Sequence, residues 1–194
     1  RALCPSQFVV SGGSRLTMLF LVGFMGTGKS CVGAAAARLL GREFIDLDAR
    51  IEASLGMTIA KWFSTHGEAP FRVAETSALE EVAKQAVPAV VACGGGVVLA
   101  DRNWEIMRAS GLVVCLTAPV EVIMERTRHD ASRPLLAGQL DRSRVEALLA
   151  ERAERYAMAD ATVESTGGLE ATAQLVCDAY RRLQPHKGDV RAGG

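Results

Sequence analysis

The sequence predicts a parallel α/β fold with helices on both faces of its sheet. Three observations lead there. Short apolar runs alternate with helical stretches along the chain, most of those runs are apolar on both faces, and a glycine-rich loop joins the first run to an alanine-rich helix. Strands that are apolar on both faces belong in a sheet covered on both sides, which is the parallel α/β arrangement.

In chain order, the candidate strands are "MLFLV" (18–22), "EFIDL" (43–47), "AVVAC" (89–93), "LVVCLT" (112–117) and "ATVES" (161–165). Between and after them, helices are expected near 29–40, 48–55, 58–86 in pieces, 101–109, 119–128, 141–157 and 169–183. Gly41 closes the first helix, and Asp141, or Ser143 with Glu146 three residues on, starts the one near 141. The stretch "HDASRPLLAGQ" (129–139) has no clear period and is long for a connection. Such loops in compact enzymes often serve as lids. No internal repeat or low-complexity segment interrupts the pattern.

At 194 residues the chain fits one domain with a core that needs no disulfide or metal staple. Basic and acidic residues number 22 each, so bulk electrostatics argue for neither a nucleic-acid nor a membrane partner. Any bound anion must meet local charge. Only four basic residues are lysines, an arginine bias that fits GC-rich coding or guanidinium recognition of anions. The five cysteines are scattered without a CxxC pair and indicate reduced, cytoplasmic thiols; the three histidines show no metal spacing. No apolar run reaches the roughly 20 residues of a membrane span. Residues 1–17 lack a secretory apolar core and carry two arginines, three serines and no acid. A transit segment, a cloning remnant, or translation from upstream of a start at Met18 all fit them, and the folded domain is expected to span 18–183, without them or the tail 184–194.

Gly23, Gly28, Lys29 and Ser30 satisfy G-x-x-x-x-G-K-[ST] between an apolar strand and a helix, the context the motif requires. Glycines let successive backbone N–H groups turn inward onto phosphate oxygens, and the following helix adds its free N–H groups and positive dipole end. The loop residues Gly26, Thr27, Gly28, Lys29, Ser30 and Cys31 are therefore the expected ATP-binding set. Lys29 would neutralise the β- and γ-phosphates, and the Ser30 hydroxyl would ligate Mg²⁺. This identifies a nucleotide without identifying a reaction.

Further signals lie downstream. Asp46 and Asp48, two apart at the exit of the second strand, would point to one face if the segment is extended, although one of them could instead cap the next helix. Arg72, with Glu68 four before and Glu75 three after, reads as a solvated ion-pair ladder as readily as a binding group. Gly94, Gly95 and Gly96 end the third strand, where they allow a ligand close to the backbone or simply form a loop. Arg126, Arg128 and Arg133 flank or enter the lid stretch, where guanidinium groups suit charge on a transferring phosphoryl group, while Arg152 and Arg155 follow on the next helix.

Together, "GFMGTGKS", "FIDLDARIE", "GEAPFRVAE", "CGGGVV", "SRPLLAG" and "ERAERYAMAD" appear in the order and approximate spacing of shikimate kinases, and from about residue 18 to 183 the chain resembles that family. The one departure is "RAERY", where the family commonly has a proline and leucine before the tyrosine. The resemblance implies a three-layer α/β/α sandwich around a five-stranded parallel sheet, a P-loop, nucleoside monophosphate kinase-like fold with a lid at about 126–140. It implies ATP-dependent phosphorylation of the shikimate 3-hydroxyl, on the route to chorismate and the aromatic amino acids. The implied catalytic residues are Lys29, Asp48 and Arg133, with Asp48 orienting or deprotonating the attacking hydroxyl. Asp46 would join Ser30 in holding Mg²⁺ through water. Arg72 and Arg152 would clamp the shikimate carboxylate, with Gly94, Gly95 and Gly96 lining the pocket, Glu75 positioning Arg72, and Phe63 and Phe71 walling the ring. Arg133 would close on the phosphates and Arg126 would flank the adenine. The expected partners are ATP and shikimate alone, bound by a cytoplasmic monomer.

Overall fold

The computed structural model describes residues 18–128 and 141–184. Strands β1 (Met18–Val22), β2 (Glu43–Asp46), β3 (Ala89–Ala92), β4 (Gly111–Thr117) and β5 (Ala161–Glu164) form one parallel sheet in the order β2-β3-β1-β4-β5. Helices α1 (Lys29–Leu40), α2 (Leu47–Leu55), α3 (Ile59–His66) and α4 (Glu68–Ala83) precede a 3₁₀ turn over Val97–Leu99. Then come α5 (Asp101–Ser110), α6 (Val120–Thr127), α7 (Arg142–Tyr156) and α8 (Leu169–Leu183).

Alternation along β1 produces the three layers. Met18, Phe20 and Val22 enter one core with Leu79 of α4, Met107 of α5 and Val145 of α7, whereas Leu19 and Leu21 enter a second core with Ala36 of α1 and Val176 of α8. At ~1.5–3 kcal/mol per fully buried large apolar side chain, a strand that buries both faces roughly doubles the gain of a one-sided strand. This is why the central strands carry almost no polar residue.

The expected elements and order are present, with local differences. β2 ends at Asp46, and α2 begins one residue earlier than the pattern indicated. Asp46 is the N-cap, its Oδ1 accepting from the Ala49 N–H at 3.2 Å. The 58–86 stretch divides at Gly67, and Pro70 sits in the first turn of α4, where a missing N–H costs no helical bond. Asp141 starts α7, accepting from the Arg144 N–H at 2.8 Å and from the Ser143 hydroxyl at 2.7 Å. The helix continues through Tyr156 despite the departure in "RAERY". The 3₁₀ turn has no counterpart in the sequence reading. Arg133 and His129, most of the lid stretch, the leading 1–17 and the tail beyond 184 lie outside the described residues.

Candidate active site

The site lies along the carboxyl ends of the parallel strands, where crevices of open α/β sheets form. Two adjoining cavities occupy it, of about 500 Å³ and 400 Å³, and both are lined by Asp46 and Asp48.

The larger cavity surrounds the glycine loop. Gly28 enters α1 at φ 89°, a left-handed conformation that L side chains rarely adopt, and no acidic residue occupies the first turn to oppose an anion. Lys29 is buried, and its ammonium donates to the Gly23 and Phe24 carbonyls at 2.9 Å each. Gly26, Ser30 and Cys31 line the cavity, while Thr27 turns inward and donates to the Phe24 carbonyl at 2.7 Å, bracing the loop from within. Arg126 lines the same cavity, donating to the Gly26 carbonyl at 3.3 Å and to the hydroxyl and carbonyl of Ser165 at 3.2 and 3.1 Å. Ser165, Gly167 and Thr172 also line it and were missed by the sequence reading. Their signal was available: "STGG" follows the last strand at the same sheet edge as the P-loop.

Ser30 and Asp46 meet directly. The Ser30 hydroxyl donates to Asp46 Oδ2 at 2.6 Å, so two hard oxygen donors sit side by side at the phosphate end of the cavity. No group of three or more His, Cys, Asp or Glu side chains suited to a metal occurs among the described residues. A two-oxygen set fits Mg²⁺, which keeps several waters and takes its other ligands from phosphate.

The smaller cavity holds Asp48, Phe63, Phe71, Arg72, Glu75, Gly94, Gly95, Gly96 and Arg152 together. The aspartates converge for a different reason than alternation on an extended segment. Asp46 ends the strand and caps the helix, and Asp48 stands in the first turn of α2. A methyl on Gly94 would come within 2.5 Å of Asp48 Oδ1 and 3.2 Å of Glu75 Oε1, so both carboxylates lie against the glycine turn. Phe63 and Phe71 form one wall, with ring centroids 4.7 Å apart.

The two arginines differ in kind. Arg72 is held by carboxylates, bonding Glu75 at 2.8 Å and Glu68 at 2.8 and 3.1 Å, which leaves donors on its two terminal nitrogens for a ligand. Burial alone would lower its pKa, but the ion pairs with Glu75 and Glu68 outweigh that and raise it. Glu75 is only 1% exposed, and burial pushes its carboxyl above the usual glutamate value more than Arg72 draws it down. Arg152 is 4% exposed, yet its Nε has no hydrogen-bond partner and no carboxylate pairs with it among the described residues. It donates a 3.3 Å bond to the Gly95 carbonyl, hydrogen-bonds the Tyr156 side chain, and holds its Cζ 6.0 Å from the centroid of the Phe24 ring. Tyr156, one turn on, has its pKa pushed up to about 12, by burial against the opposing pull of Arg152. A buried guanidinium with so little compensation is costly unless an anion joins it.

A family model described as shikimate kinase matches residues 25–181. A curated shikimate kinase from Halorhodospira halophila is 48% identical over 151 residues, covering 77% of this chain and 85% of that protein. One from Gloeobacter violaceus is 46% identical over 166 residues, covering 84% and 93%. Among solved structures, the shikimate kinase from Acinetobacter baumannii in complex with shikimate matches with a TM-score of 0.82 at 37% identity, covering 87% of this chain and 94% of that one. A gluconokinase from Sinorhizobium meliloti, at 22% identity and a TM-score of 0.59 over 87% and 94%, shares the fold.

Proposed function

Because the chain belongs to the shikimate kinase family, with ATP as phosphoryl donor and the shikimate 3-hydroxyl as acceptor, we propose that the two cavities divide these substrates between them. The observation that carries the division is Arg152: a buried, under-partnered cation in a cavity walled by phenylalanines suits a small ring bearing one carboxylate. Arg72, held by Glu75, provides the second fork of the clamp.

In this reading Asp48, which lines both cavities, accepts the proton of the 3-hydroxyl as its oxygen attacks the γ-phosphorus. The new P–O bond forms as the bond to the β,γ-bridging oxygen breaks, and ADP leaves with the electron pair. Lys29 exchanges its two loop carbonyls for phosphate oxygens and stabilises charge where it develops. Ser30 and Asp46 would hold Mg²⁺, which when bound neutralises phosphate charge. Arg126 faces the base end of the nucleotide. Arg133, assigned to the phosphates, and a lid at about 126–140 enter through the resemblance alone. A cytoplasmic monomer belongs to the same proposal, the monomer supported by two cavities lined from a single chain and the compartment by cysteines scattered without a CxxC pair.

A coupled ADP-release assay with shikimate, gluconate and nucleoside monophosphates, each with Mg²⁺ and after chelation, tests the reading. Metal-dependent ADP release with shikimate alone is expected. Release that ignores shikimate, or equal turnover of gluconate, would overturn it.

A further inference from the structure

Arg72 and the glycine turn fit without slack: a methyl placed on Gly96 would come within 2.6 Å of Arg72 Cζ. The guanidinium therefore presents its two Nη atoms end-on to the space a side chain at Gly96 would take, and the spacing between α4 and that turn decides where it points. Glu75 fixes the arginine relative to its own helix, since both belong to α4. Something else must fix the helix relative to the turn.

A buried polar chain connects them. The Thr76 hydroxyl, one helical turn beyond Arg72, donates to Asn103 Oδ1 at 2.8 Å, and Asn103 Nδ2 donates to the Val97 carbonyl at 2.9 Å. The Val97 N–H donates to the Gly94 carbonyl at 3.1 Å and the Leu99 N–H to the Gly96 carbonyl at 3.0 Å. The path thus runs from the helix bearing Arg72 to both outer glycines of the turn. Asn103 is 0% exposed, and a carboxamide provides the acceptor and the donor this path requires at its two ends. Trp104 Nε1 donates to the Val98 carbonyl at 2.9 Å and pins the same turn to α5, but it does not reach α4. Neither Thr76 nor Asn103 lines the acceptor cavity.

We propose that Thr76 and Asn103 are positioning residues for the acceptor: their hydrogen-bonded chain sets Arg72 against the Gly94–Gly96 turn and thereby sets the affinity for the shikimate carboxylate. This rests on Arg72 being one arm of the carboxylate clamp. A buried polar link that sets a binding group's position is worth a few-fold to tens-fold in affinity.

The test compares Thr76→Val, which keeps the shape and removes the donor, with Thr76→Ser, which keeps the hydroxyl, and with Arg72→Ala. Thr76 is only half-buried, so the valine variant folds even if Asn103→Ala does not. We expect Thr76→Val to raise the shikimate KM about 5- to 20-fold with kcat and the ATP KM within twofold of the parent, and Thr76→Ser to restore it. A purely structural link would lower the melting temperature while moving both KM values together or neither, and that result overturns the proposal, as does a serine variant that behaves like valine. If Arg72→Ala raises the shikimate KM while Thr76→Val does not, the positioning role alone fails. If Arg72→Ala itself leaves the shikimate KM unchanged, the clamp assignment fails, and the positioning role with it.

Discussion

Replacing Gly96 by alanine isolates the contribution of the glycine turn to acceptor binding. Gly96 has φ −98° and ψ −6°, a conformation open to any residue, so the substitution carries no backbone strain. The steric effect stands alone. The new methyl would sit 2.6 Å from Arg72 Cζ, and carbon atoms pack at about 3.5–4.0 Å, so the guanidinium must retreat by about 1 Å. It is not free to do so, because Glu75 at 2.8 Å and Glu68 at 2.8 Å hold its two terminal nitrogens. Overpacking of this kind costs about 1–3 kcal/mol of stability, and a misplacement of about 1 Å costs up to about 10²-fold in productive binding. Steady-state ADP release with each substrate varied in turn should show the shikimate KM up about 10- to 100-fold and the ATP KM unmoved. Thermal melting should show Gly96→Ala costing little when added to Arg72→Ala, since the clashing group is then gone. A shikimate KM within twofold of the parent in Gly96→Ala would refute the placement of Arg72 on the turn.

Lys29→Ala should fold and lose about 10²- to 10³-fold in turnover, and a variant that keeps more than half the parental rate would remove Lys29 from the mechanism. Arg152→Ala should weaken shikimate binding by about 2–5 kcal/mol in calorimetry while sparing ATP; equal losses for both ligands would mark the arginine as structural. Because burial raises the Glu75 pKa, the unfolded chain gives up this proton at lower pH than the folded chain, so the group's contribution to stability declines as pH rises from the ordinary glutamate value through the raised folded one. Denaturation across that window should show this slope flattened in Glu75→Gln, and an unchanged slope would contradict the buried placement of the carboxyl.

The parts of the site that depend on neighbours in sequence were legible, and those that depend on burial were not. Lys29 and Ser30 follow from a local rule about strand, glycine and helix, and α1 spans Lys29–Leu40 as its pattern indicates. Asp46 and Asp48 do converge on the cavities, by the capping alternative and not by alternation on an extended segment, because a capping residue and a strand residue look alike in sequence. Spacing presents Glu68 and Glu75 as equal rungs of a ladder around Arg72, yet their side chains are 55% and 1% exposed. Only the second is a buried support. Nothing along the chain distinguishes Arg152, whose neighbouring carboxylates are abundant in sequence and do not pair with it in space among the described residues. The Val97–Leu99 turn escaped notice because β-branched residues suggest extended chain, and its anchor at Asn103 lies 27 residues from Thr76.

The sheet order also sets how stiffly each substrate is held. The P-loop leaves β1, the central strand, paired on both sides and buried on both faces. The aspartates leave β2, an edge strand, and the wall beyond them includes α3, which has no fully buried residue. Opening β1 requires global unfolding, whereas the acceptor wall can open locally at a small fraction of that free energy. With the substrates divided as proposed, the nucleotide would meet a fixed anvil and the acid a compliant jaw, so the wall could drift in sequence and flex in solution while the phosphoryl donor stays in register.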